Sequence, residues 1–76
     1  MTHQIADAIL HIDETLEDWQ REVLNDHMQL HEGIVASGYN KDNPHLMIIE
    51  YNPDYTNPKT FIHMVERHCY HVERIG

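Results

Sequence analysis

The sequence predicts an α+β domain: one four-stranded antiparallel sheet with two helices on one face. Three observations carry this. Apolar and polar residues alternate in the first segment, residues 6–13, which is the two-residue period of a strand. Two later stretches have helical spacing, each opened by a capping residue. The segments follow one another in the order β-α-β-β-α-β.

The first strand is ADAILHID, residues 6–13. Leu10 and Ile12 face one way; Ile9, His11 and Asp13 face the other. Thr15-Leu-Glu-Asp18 then predicts a helix start, with Thr15 as N-cap and acids at the positive helix end. Leu16, Trp19, Val23 and Leu30 follow with helical spacing, and Gly33 ends the run. Ile34 to Tyr39 is a second strand, and Asn40-Lys-Asp-Asn-Pro44 is a turn by composition.

HLMIIEY, residues 45–51, is the third strand, with Met47, Ile49 and Tyr51 on one face. Asn57-Pro58 opens the second helix, asparagine as N-cap and proline at the first helical position. Phe61, Ile62, Val65 and His68 or Cys69 line its inner side. Tyr70 to Ile75 is the last strand, with Tyr70 and Val72 inward and His71 and Glu73 outward. This is the ferredoxin-like βαββαβ plan, with sheet order 4-1-3-2 and right-handed crossovers.

Seventy-six residues make a single domain, 1–76, with a small core. The longest apolar run, Leu46-Met47-Ile48-Ile49, is far too short to span a bilayer. The first residues have no basic start and no long apolar stretch, so no secretory signal is expected. One cysteine among eight histidines suits a reducing compartment, and a soluble cytoplasmic protein is the expectation. Thirteen acidic residues against five basic give a formal charge of −8, which argues against nucleic acid and for cations or a basic protein surface as partners. Protonating all eight histidines would take that charge to 0, so it is sensitive to mild acid.

The chain resembles the heavy-metal-associated domain of copper chaperones and metal-pumping ATPases, from about Ile9 to Ile75. IEYNP, residues 49–53, is similar to the family's V-x-Y-D-P, and Asn57-Pro58 to its T/S-P helix start. FIHMVERHCYHV, residues 61–72, is similar to L-I-x-A-I-E-x-A-G-Y-x-A, and Gly33-Ile34 to the G-V of its second strand. The resemblance implies the ferredoxin-like fold. The family's metal motif, M-T-C-x-x-C, corresponds here to residues 14–19, where Leu16 and Trp19 replace both cysteines. Its thiolate chemistry therefore does not carry over to these positions. Met28 takes the place of a core leucine, beside His27. Cys69 falls where the family has glycine after its second helix, a position that favours positive φ.

Candidate metal ligands are His11, His68, Cys69, His71 and Glu73. His68 with Cys69 offers one or two ligands for Zn(II) or Cu(I) near the altered loop, or Cys69 is a small turn residue. His11, Asp13, His71 and Glu73 share outward parity on neighbouring strands, with His71 near Asp13 and His11 near Glu73. They make either a transition-metal site or a sheet face laced with charge pairs. Ile9 and Ile48 on that face suit a homodimer. His27 and His31, four apart on the first helix, read as solvated surface. No serine stands in a nucleophile context and no substrate pocket is indicated, so an enzyme is not expected. Two functions remain: a metal-handling protein holding Cu, Zn or Ni through histidine with carboxylate or cysteine, or a metal-independent interaction module.

Overall fold

The computed structural model describes residues 4–76; the opening Met1–His3 of the stretch read for a signal lies outside them. The elements are β1 (Ala6–Ile12), α1 (Asp18–Leu30), β2 (Ile34–Tyr39), β3 (Leu46–Tyr51), α2 (Pro58–Glu66) and β4 (Val72–Arg74). The fold is α+β, with all strand pairs antiparallel in one sheet of order β2-β3-β1-β4. Counted from the β4 edge, the same neighbours read 4, 1, 3, 2.

Strand alternation sends Ala8, Leu10 and Ile12 of β1 and Met47, Ile49 and Tyr51 of β3 to one face. Leu24 and Met28 of α1, Phe61 and Val65 of α2, and Leu16 complete a single buried cluster with them. Both helices therefore cover the same side of the sheet. Tyr51 and Phe61 meet edge to face, ring centroids 5.2 Å apart.

Helix α2 begins as the sequence indicates: Asn57 Oδ1 accepts the Thr60 N–H at 3.1 Å and Pro58 follows. Helix α1 begins later than Thr15. Its N-cap is Glu17, whose backbone N–H donates to Gln20 Oε1 at 2.8 Å. The Arg21 guanidinium reaches back to the Leu16 carbonyl and the Asp18 carboxylate, fixing this entry.

The apolar residues of α1 divide between two sides of the helix. Leu24 and Met28 are fully buried, whereas Trp19, Val23 and Leu30 are 62%, 41% and 84% exposed. Of Leu16, Trp19, Val23 and Leu30, only Leu16 reaches the core. The last strand is shorter than the 70–75 segment, and His68 and Cys69 lie beyond the end of α2 rather than on its inner face. Tyr70 and Val72 still pack against the core.

Among the described residues, two backbone positions have positive φ. Gly33, at 94°, turns the chain from α1 into β2. A Cβ there would stand 2.9 Å from both Thr56 Cγ2 and Tyr55 Cβ, so the turn needs glycine for space as well as for φ. Cys69, at 66°, occupies the left-handed region after α2.

Candidate functional site

The loop between β1 and α1 contains no cysteine. Here Leu16 turns into the core and Trp19 turns outward, its indole N–H donating to Glu17 Oε2 at 2.6 Å. Glu14, in the same loop, is turned toward the start of β4. Its Oε1 accepts the His71 backbone N–H at 2.7 Å and its Oε2 meets His71 Nδ1 at 2.6 Å. The hydrogen bond to His71 holds the Glu14 carboxyl below its usual range, and the same bond raises His71 above its own. Glu14 was not among the expected ligands; its partner lies 57 residues away, which no local pattern signals.

The sheet-face quartet separates. Asp13 N–H donates to the His71 carbonyl at 2.8 Å, so these two are neighbours, yet the His71 ring turns to Glu14. His11 and Glu73 are register partners between β1 and β4. The His11 ring itself bonds Asp13 Oδ1 at 3.1 Å and stacks on His45, centroids 5.7 Å apart. His45 is a residue the sequence reading did not single out; its Nδ1 donates to the Ile12 carbonyl at 2.7 Å. Ile48 is 38% exposed on this face.

Cys69 is exposed, and its own N–H donates to the Glu66 carbonyl at 2.9 Å. Adjacent in sequence, His68 turns elsewhere: its Nε2 lies 3.2 Å from Nδ1 of His27. These two rings, with Leu30, His31, Met64 and Arg67, line an open groove of about 560 Å³ between the helices. His27 and His31, read as solvated surface, thus line a groove together with His68. Burial, and then the charge of His27, lower the His68 pKa. Among the described residues, no group of three or more His, Cys, Asp or Glu side chains is arranged to hold a metal ion.

The outward side of α1 leads into this groove. Trp19, Val23, His27 and Leu30 recur at helical spacing, so they form one stripe along the helix. Glu17, Asp18, Glu22 and Asp26 are exposed beside it. No helix among the described residues is long and apolar enough to cross a membrane. No protein-family model matches the chain, and no curated protein is significantly similar to it.

Proposed function

We propose that the chain is a ferredoxin-like domain of heavy-metal-associated type whose thiolate loop has given way to a docking surface. The order of the sheet and the two helices on one side support the fold assignment. The docking reading rests on one observation: α1 has two apolar faces, and only one is used. Leu24 and Met28 fill the core, while Trp19, Val23 and Leu30 remain 62%, 41% and 84% exposed along a single stripe. An exposed run of large apolar side chains rimmed by charge is the usual mark of an interaction site.

The partner that fits is a basic amphipathic helix of another protein, its apolar face on the stripe and its Lys or Arg residues against the acidic rim. A second copy of this chain fits less well, because it would bring two acidic rims together on chains of charge −8. A lipid surface of negative charge is repelled for the same reason.

A synthetic Leu/Lys amphipathic helix, titrated into the labelled protein, tests this reading. Binding should shift Trp19 fluorescence to the blue and perturb amide resonances of residues 19–30. Trp19→Ser and Leu30→Ser should each abolish it. Binding that survives both substitutions, or sedimentation showing a dimer through α1, overturns the proposed partner. Metal handling, which the family resemblance implies, is seated in this reading at the His27–His68 pair, where the stripe runs into the groove.

A further inference from the structure

We propose that His27 and His68 bind a single divalent d-block ion, with Zn(II) as the reference case. The two rings come from positions 41 residues apart. His27 stands in the last turn of α1 and His68 just past the end of α2. Their nitrogens, Nδ1 and Nε2, are 3.2 Å apart, with ring centroids at 5.1 Å and planes tilted by 46°. A tetrahedral ion about 2.0–2.1 Å from each of two imidazole nitrogens sets those nitrogens about 3.3–3.4 Å apart. The pair already stands close to that span.

The chemistry of the rings agrees with the geometry. Each neutral imidazole has one donor and one acceptor nitrogen, so two nitrogens facing each other share at most one proton. Replacing that proton with a metal ion uses both lone pairs. Tyr70 stacks on the His68 ring, centroids 5.8 Å apart and planes within 12°, which holds its orientation.

The contrast with the other histidines sharpens the assignment. His11 and His71 face carboxylates, Asp13 and Glu14. Among the described residues, no ion pair includes His27 or His68. Imidazole is a suitable donor for Zn, Cu and Ni.

Two side chains leave half of a tetrahedral sphere open. His31 and Met64 line the same groove, but His31 Nε2 is engaged with Thr56 Oγ1 at 3.2 Å. Water therefore completes the sphere, and the ion is exchangeable rather than structural. Arg67 also lines the groove and opposes a cation locally, against the attraction of a chain of charge −8.

The test is a titration of the intact chain with zinc chloride at neutral pH, followed by native mass spectrometry and long-range 15N–1H spectra of the imidazoles. One ion per chain is expected, moving His27 Nδ1 and His68 Nε2. His27→Gln and His68→Gln should each weaken binding by at least roughly tenfold, and His71→Gln should leave it unchanged. Thermal melts of the metal-free variants show whether they fold; the nitrogen shifts in the unsubstituted protein locate the ion without any variant. Trp19→Ser, which abolishes peptide docking, should leave zinc affinity intact. The proposal fails if no zinc binds, or if zinc moves His11, His45 or His71 instead. It fails equally if inorganic phosphate moves the His27 and His68 rings and zinc does not, which would make the groove an anion site built on Arg67.

Discussion

Glu14 grips both the backbone and the ring of His71, at 2.7 and 2.6 Å, and so ties the loop before α1 to the start of β4. The two ends of this contact respond oppositely to pH. The folded pKa of His71 is raised, so its share of stability is present below about pH 6.5 and fades as pH rises through the folded value. The folded pKa of Glu14 is lowered, so its share is present above about pH 4.3 and fades as pH falls through the folded value. The clasp is strongest between those limits.

His68 works against it. Its folded pKa is lowered, so protonation below about pH 6.5 favours the unfolded chain. In a proton NMR titration, His71 should therefore titrate above the ordinary histidine and His68 below it. Glu14→Gln should bring His71 back toward its ordinary value and leave His68 in place. A His71 that titrates normally in the unsubstituted protein would mean that the clasp does not form in solution.

The phase of α1 is open to direct measurement. Leu24 is fully buried and Leu30 is 84% exposed. Leu24→Ala should cost about 2–5 kcal/mol, the range for emptying a core site. Leu30→Ala should stay within about 0.5 kcal/mol. Urea midpoints that rank the two the other way would place Leu30, not Leu24, in the core.

Sequence patterning reaches most of the fold but not this phase, for a physical reason. Helix α1 carries one apolar row at Trp19, Val23 and Leu30 and another at Leu24 and Met28. Both satisfy helical periodicity, and nothing local says which row meets the sheet. The strands and α2 were legible because alternation fixes Leu10, Ile12, Met47 and Ile49 to one side, and Asn57-Pro58 admits one helix start. The helix start at Glu17 was misread as Thr15 because both positions offer a capping oxygen, and Gln20 favours the later one. The contacts of the candidate site were illegible in another way. Glu14 with His71 and His27 with His68 are separated by 57 and 41 residues, and only the tertiary fold joins them.

Cys69 has φ 66° and an exposed side chain. A non-glycine residue in that conformation costs about 1–2 kcal/mol. Cys69→Gly relieves the strain but adds freedom to the unfolded chain, worth roughly 0.5–1 kcal/mol. The net expected change is a small rise in melting temperature. A marked fall would show that the thiol contributes packing.

Gly33 gives the opposite result. Its φ of 94° and the 2.9 Å approaches of Thr56 and Tyr55 leave no room for a methyl group. Its carbonyl also accepts the Asn52 N–H at 2.7 Å, so the turn cannot shift without loosening the end of β3. Gly33→Ala should destabilise by about 2 kcal/mol or more, adding overpacking to the left-handed penalty. An unchanged denaturation midpoint would contradict the turn.

Tyr39 is a probe at the alkaline end. Burial raises its phenol to about 12, and its hydroxyl donates to the Arg21 carbonyl at 2.9 Å. Because the folded value is raised, its share of stability is lost as pH climbs above about 10. Phenolate absorbance should show a late ionisation step near pH 12, and Tyr39→Phe should remove it.

The pairing of β1 with β4 also sets how the fold bears a load. Ile9 bonds Gly76 and Ile75, Leu10 stands opposite Arg74, Ile12 opposite Val72, and Asp13 bonds His71. The strands are antiparallel, so Ala6 and Gly76 lie toward the same end of this ladder. Pulling those two residues apart strains the rungs one after another, beginning at Ile9, instead of shearing them all together. The domain should yield to tension at low force, peeling its last strand like a zip until the Glu14 clasp on His71 is the final fastening.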